Sequence, residues 1–218
     1  MLVKDCMTRH PVMISLTTKA AEAENIMSES KVRHLPVVGD GKRLEGLVTR
    51  QSLTIKPDML GSLNVWEITR YLANMTVKDL MVKAGEVITI APDKTIERAA
   101  RTMSEHKIGC LPVVEDGVVV GIITEVDLMN AFQMMLGLPA SGVRVTVRMP
   151  NQPGEFATLT AALSNNGWGV MGIGSFPTPR REGYYDVVLK IPGVEAADIE
   201  AAINQIPEQE VVDIRASV

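Results

Sequence analysis

The chain has 218 residues, 46% of them hydrophobic and 22% charged, with a formal net charge of -4. That length admits one large domain or two to three small ones at roughly 100–200 residues per domain, and the composition excludes wholesale disorder. A mildly acidic balance without a long Lys and Arg run argues against nucleic acid or an anionic membrane as partner. No apolar stretch approaches the roughly 20 residues that span a bilayer. With no charged flank leading into an apolar core at the N-terminus, no signal peptide is expected, and the expected compartment is the cytoplasm. Cys6 and Cys110 lie far apart without CxxC spacing, as free buried thiols of a reducing compartment would. Aromatic residues are only 4%, so the chain offers a ligand no large stacking surface.

In chain order, the first two-thirds repeat themselves. Lys4-Asp5-Cys6-Met7 returns as Lys78-Asp79-Leu80-Met81, His34-Leu35-Pro36-Val37-Val38 as Cys110-Leu111-Pro112-Val113-Val114, and Gly46-Leu47-Val48-Thr49 as Gly121-Ile122-Ile123-Thr124. Order and spacing are kept across three separate blocks, so one unit has been duplicated. Each copy opens on a short apolar run, read as a strand (12–14 and 87–90). A helix follows, its apolar stripe at Ala20, Ala23, Ile26 and Met27 or at Ile96, Ala99, Ala100 and Met103. Asp93 is the expected N-cap of the second of these helices. Next come a buried strand (35–38, 111–114), an Asp-Gly turn, a strand ending at Thr49 or Thr124, and a last helix beginning near Ser52 or Asp127. Between the copies, Leu60, Leu63, Trp66, Ile68, Tyr71 and Leu72 predict one helix that starts after Pro57 and Gly61 and packs its apolar face on the repeat module, with Trp66 as a core aromatic.

Residues 137–142 break periodicity and read as a linker. Val143, Val145 and Val147 alternate with Arg144, Thr146 and Arg148, a half-buried strand. Residues 151–156 turn into a helix carrying Phe156, Leu159, Ala162 and Leu163, which Gly167 ends. Strands at 170–176 and 184–191, a helix over 195–206 and a strand at 211–215 complete a βαββαβ order.

The repeated unit, with LPVV and GxxTxxDL, resembles the CBS domain, and two such units imply a paired, Bateman-type module of βαββα units. The βαββαβ segment, with Asn151-Gln152-Pro153-Gly154 closing its first strand, resembles the ACT domain, a ferredoxin-like regulatory fold. The expected fold class is therefore α/β (α+β), with CBS 1 over 1–55, a helical insert over 56–77, CBS 2 over 78–136, a linker over 137–142 and the ACT domain over 143–218. Domain order and the segment around 63–81 resemble the acetoin-utilisation family, which is regulatory.

The resemblance implies where ligands go. In the second copy Thr124 donates to a phosphate at a helix N-terminus, which favours anions, and Asp127 accepts from both ribose hydroxyls of an adenine nucleotide. Ile88, Thr89, Gly109, Cys110, Leu111 and Pro112 would surround the adenine. The residues alone leave a second reading open, in which Thr124 and Asp127 only cap the helix. The first copy, with Thr49, Arg50 and Ser52, lacks the ribose carboxylate, so a weaker site of Thr49, Ser52 and His34 is expected there. The ACT ligand candidates are Asn151, Gln152, Pro153, Gly154, Glu155 and Phe156, with Pro153 at the first helical position leaving backbone N–H groups for a carboxylate. Asn151 stands where that family often has Asp, which removes an ammonium-binding group.

No metal is expected. His34 with Cys110, and Cys6 with His10, lack finger spacing. Gly167-Trp168-Gly169-Val170-Met171-Gly172 matches GxGxxG but follows a helix and opens a strand, the reverse of a dinucleotide fingerprint; its glycines instead imply close backbone approach. Arg180 and Arg181 read as a solvated pair in a hairpin tip. No nucleophile, acid–base or P-loop motif occurs. The resemblances therefore imply a non-enzymatic, homodimeric regulator that needs no cofactor, takes an adenine nucleotide (AMP, ADP, ATP or S-adenosylmethionine) as regulatory ligand, and signals to an unknown regulated protein, with no nucleic-acid or membrane partner expected. The alternatives are a structural interaction module without a ligand and an unrecognised enzyme of short-chain metabolism.

Overall fold

The computed structural model describes residues 1–53, 74–138 and 140–217. The insert helix expected around Leu60, Leu63, Trp66, Ile68, Tyr71 and Leu72 lies outside these residues, as does the last helix of the first copy beyond residue 53. The chain divides into two units, Met1–Leu128 and Met129–Val218.

In the first unit the first copy supplies α1 (Val3–Cys6), β1 (Thr8–Arg9), α2 (Ala20–Glu29), β2 (His34–Val38) and β3 (Leu44–Thr49). The second supplies α3 (Val77–Leu80), β4 (Val82–Lys83), α4 (Ile96–His106), β5 (Cys110–Glu115), β6 (Val118–Thr124) and the start of α5 (Glu125–Met135), whose residues from Met129 on belong to the second unit. The apolar stripes turn inward as their helical spacing requires, with Ala20, Ile26 and Ala100 half-buried at their edges. Ala23 and Met27 of α2 pack with Leu35, Val37 and Val48, while Ile96, Ala99 and Met103 of α4 are at most 3% exposed. Each large buried aliphatic side chain contributes about 1.5–3 kcal/mol.

The copies exchange their opening segments. Strand β1 pairs antiparallel with β6, and β4 with β3, giving two three-stranded sheets ordered β1-β6-β5 and β2-β3-β4. The exchange extends to the backbone around the short helices: the Val3 N–H donates to the Lys94 carbonyl and the Val77 N–H to the Thr18 carbonyl, both at 2.8 Å. Repeated glycines make room for it. A Cβ at Gly46 would lie 2.5 Å from the Val82 carbonyl oxygen, and one at Gly121 2.5 Å from Met7 Sδ.

Three expectations change. The apolar runs at 12–14 and 87–90 are not strands; Ile14 and Ile90 each make a single parallel bridge, to Val37 and Val113. The third strand of each sheet comes from the other copy, so the runs are not needed as ladders. Helix α4 is capped by Thr95, whose hydroxyl accepts the Arg98 N–H at 3.3 Å, and not by Asp93, because the helix begins only at Ile96. The turns also differ between copies. Asp116 (φ 51) and Gly117 (φ 82) form the two-residue turn expected of Asp-Gly, whereas Asp40-Gly41 lies in a longer connection through a 3-10 turn over Asp40–Lys42.

The second unit carries β7 (Gly142–Pro150), α6 (Glu155–Asn165), β8 (Gly172–Pro177), β9 (Tyr184–Ile191), α7 (Ala196–Ile203) and β10 (Glu210–Ser217). Its antiparallel sheet runs β10-β7-β9-β8, the ferredoxin-like order. Val143, Val145, Val147 and Met149 of β7, with Val187, Leu189 and Ile191 of β9, face Leu159, Leu163, Ile199 and Ile203 of the two helices. The alternate residues carry charge: Arg148 grips Asp186 through two hydrogen bonds of 2.8 and 3.0 Å, and Arg144 pairs with Asp213 at 3.0 Å. Of the glycine run, Gly172 makes the close approach, against the backbone of Leu136 and Gly137, while Gly167 and Gly169 face open space. Arg181 is not merely solvated: it lies 3.7 Å over the Tyr184 ring and 3.5 Å from Glu210.

Candidate functional site

The ends of β3 and β6 set up two equivalent turns. At the end of β6, the Thr124 amide and hydroxyl donate to Asp127 Oδ2 at 2.8 and 2.7 Å, and the Asp127 amide donates back to the Thr124 hydroxyl at 3.3 Å. This reciprocal cap starts α5. At the end of β3, the Thr49 amide donates to Ser52 Oγ at 3.0 Å, the Ser52 amide to Thr49 Oγ1 at 3.1 Å, and the Ser52 hydroxyl to the Thr49 carbonyl at 2.9 Å. Ser52 thereby spends its only donor on the turn. Asp127 keeps Oδ1, which no hydrogen bond among the described residues engages.

Each turn borders a cavity. The first, of about 570 Å³, lies at Thr49, Arg50 and Gln51, with Val87, Ile88 and Cys110 among its walls. The second, of about 400 Å³, lies at Thr124 and Asp127, with Thr8, Pro11, Val12 and Ile122 among its walls. Both volumes suit a small ligand. Each cavity thus joins the turn of one copy to the opening segment of the other, following the strand exchange.

This arrangement regroups the residues expected from the sequence. Ile88 and Cys110 line the first cavity with Thr49, not the second with Thr124 and Asp127; Gly109 and His34 line both. Thr89 is exposed, Leu111 and Pro112 are buried, and these three, like Ser52, line neither cavity. Pro11 and Val12 take the place expected for Ile88 and Thr89, because the segment facing Thr124 comes from the first copy. The sequence reading also missed Lys31, Arg33, Lys107 and Glu125. Their signal was present as charged residues flanking the repeated LPVV and GxxT blocks.

Burial sets the chemistry of the two equivalent residues at the head of β2 and β5. Burial, with Arg33 beside it, pushes the His34 imidazole below its ordinary 6.5, so it is neutral at neutral pH. Burial pushes the Cys110 thiol up to about 12, with the Glu125 carboxylate adding to the shift. A thiol so far from ionising is a poor metal ligand or nucleophile. Among the described residues no three His, Cys, Asp or Glu side chains gather where they could hold a metal ion.

In the second unit, residues 151–154 and Phe156 are exposed and Glu155 is half-buried. Helix α6 begins at Glu155, so Pro153 lies outside it. Gly154 is the N-cap with φ 98, a conformation that favours glycine and delays the helix by two residues. Below the loop, the Gln209 side-chain amide donates to the Glu155 carbonyl and carboxylate, both at 2.9 Å. A cavity of about 520 Å³ in this unit is bordered by Asn165, Trp168, Asp198 and Gln205, and none of the loop residues lines it.

The CBS domain model matches residues 3–56 and 77–133, just over half of the chain. A Vibrio cholerae structure assigned to acetoin utilization is 32% identical, with a TM-score of 0.52 over 64% of this chain and 95% of that one. The Arabidopsis thaliana CBS-pair protein CBSX2, solved in complex with AMP, is 28% identical with a TM-score of 0.50 over 60% of this chain and 94% of that one. L-aspartate semialdehyde sulfurtransferase of Methanocaldococcus jannaschii is 30% identical over 134 residues, 60% of this chain and 23% of that protein. The chain spans less than a quarter of the length of the curated relatives it matches. Each of these likenesses leaves more than a third of the chain uncovered.

Proposed function

Because the chain belongs to the CBS-domain family, we propose that it is a regulatory sensor whose paired units bind an adenine nucleotide in the cavity of Thr124 and Asp127. AMP, ADP, ATP and the related S-adenosylmethionine are the ligands considered. The observation that carries the reading is the divided carboxylate of Asp127, a residue that lines the cavity: one oxygen is held by Thr124 and the other has no hydrogen bond among the described residues. That oxygen accepts from a ribose hydroxyl, while Pro11, Val12 and Ile122 offer apolar surface to the base. Lys31, Arg33 and the first turn of α5 favour a phosphate. The AMP held by the Arabidopsis relative supports this ligand class. The nucleotide is a signal here, and no cofactor is required.

The βαββαβ unit is read as an ACT domain that binds a small metabolite at the loop of residues 151–156 or serves self-association. The chain acts as a homodimer in the cytoplasm and passes its state to an unidentified regulated protein. Acetoin or related metabolism is the process that the Vibrio cholerae likeness supports. A ligand that prefers one conformation of the dimer shifts the population toward it, which is the only signal such a sensor needs.

Thermal unfolding with AMP, ADP, ATP and S-adenosylmethionine tests the reading. At about 100 times its dissociation constant the true ligand adds about 2.7 kcal/mol of stability, and this gain disappears in Asp127→Ala. Removing that side chain also removes a cap, which costs about 0.5–2 kcal/mol with or without ligand, so the ligand-dependent increment is compared within each variant. A folded protein that responds to none of the four would instead be the ligand-free interaction module.

A further inference from the structure

The two cavities of the first unit share a wall. Arg33, His34, Gly109 and Glu125 line both. The repeat explains why one wall serves two cavities. The Arg50 amide donates to the Arg33 carbonyl at 3.0 Å, and the Glu125 amide donates to the Gly109 carbonyl at 3.1 Å. These four residues therefore hold equivalent stations in the two copies.

Their chemistry is not equivalent. The first copy places Arg33 and Arg50 where the second places Gly109 and Glu125. Among the described residues, the shared wall consequently holds a single arginine, Arg33, and a single acidic residue, Glu125, each lining both cavities. Away from the wall the first cavity adds Arg50 and Lys107 against Glu86, and the second adds Lys31 against Asp127. Among the described residues, the second cavity thus depends on Arg33 for half of its lysine and arginine charge. His34, kept neutral by its burial, is no substitute cation at neutral pH.

We propose that phosphate-bearing ligands in the two cavities compete for Arg33, so that filling either cavity weakens binding in the other. The proposal rests on the nucleotide reading above and extends it to the first cavity. A guanidinium that holds a phosphate through two parallel N–H bonds turns that fork and its charge toward one cavity and away from the other. Glu125, which also lines both cavities, repels the phosphate in the cavity from which Arg33 turns away. The coupling is reciprocal, since each ligand must change the affinity of the other by the same factor. The repeat thus yields a device that reads whether one nucleotide or two are bound, from a duplication whose copies differ at the two stations of the shared wall.

Calorimetric titration of the full chain with AMP and with adenosine tests this, because adenosine shares the base and ribose and lacks the phosphate. AMP is expected to bind in two steps whose dissociation constants are about tenfold further apart than those of adenosine. The extra separation should close in Arg33→Ala and shrink as salt screens the phosphates. Arg33→Lys, which keeps the charge and loses the fork, should retain only part of it. Equal separation for AMP and adenosine, a separation that survives in Arg33→Ala, or saturation at one AMP per chain would overturn the coupling. Those results leave nucleotide binding intact, whereas a chain that binds neither compound and shows no thermal response overturns the underlying reading itself.

Discussion

At Gly46 and Gly121 the repeat keeps glycine because another chain segment occupies the space of a Cβ. The obstacle at Gly46 is a carbonyl oxygen, that of Val82, whereas at Gly121 the nearer obstacle is the mobile tip of Met7. Gly46→Ala should therefore cost more than Gly121→Ala, about 2–3 against 1 kcal/mol, as read by the urea midpoint; equal costs would contradict the exchange geometry. His34 gives a pH signature. Its folded pKa lies below the unfolded 6.5, so the unfolded chain takes up the proton first as pH falls. The contribution of neutral His34 is full above pH 6.5 and declines below it until the folded imidazole also titrates. Denaturant titrations across pH 7 to 5 should show less loss in His34→Asn than in wild type. Asp186 behaves oppositely to a buried histidine in charge but alike in direction. Hydrogen bonds from Arg148, and then Thr178, hold its carboxyl below the ordinary 3.8, so stability is lost as pH falls through that lower value.

At the scale of elements, two-residue strands decide the architecture. Neither β1 nor β4 has the length or pattern to announce a strand, yet each closes a sheet of the other copy. Removing residues 1–9 should therefore raise amide hydrogen exchange first in β6 and around residues 94–96, whose partners are lost, and leave β2 and β3 protected. Loss of protection in β2 instead would restore the simple reading of two self-contained repeats. Helix starts follow the same logic of local bonds. Thr95→Ala removes the cap of α4 and should cost about 1 kcal/mol, while Asp93→Ala should cost little, because Asp93 holds no cap and forms only an exposed contact with Lys94.

For the whole molecule, helix α5 leaves Val126, Met129 and Met134 between 53% and 64% exposed. As a homodimer the chain would cover such side chains, so sedimentation at micromolar concentration should report a dimer; a monomer at every concentration would remove that part of the proposal. Among the described residues no helix is long and apolar enough to cross a membrane. The two units differ in the chemistry of their cavities. One borders its cavities with charged and apolar residues, while the other presents an exposed loop and a cavity of amides, Trp168 and Asp198.

Much of this was legible in the residues alone. Duplication, the apolar stripes of α2 and α4, the strands headed by His34 and Cys110, and the βαββαβ order of the last third follow from periodicity, turn residues and repeated blocks, all local signals. The pairing of Thr124 with Asp127 was also visible, because three-residue spacing across a helix start brings the two side chains together. Which opening segment meets which turn was not visible. Lys4-Asp5-Cys6-Met7 and Lys78-Asp79-Leu80-Met81 are alike, and either would fit beside Gly46 or Gly121 by sequence. Only the folded backbone, through bonds between residues far apart in the chain, sends each to the opposite copy. That choice moves Ile88 away from Thr124, brings Val12 to Asp127 and makes Arg33 common to both cavities.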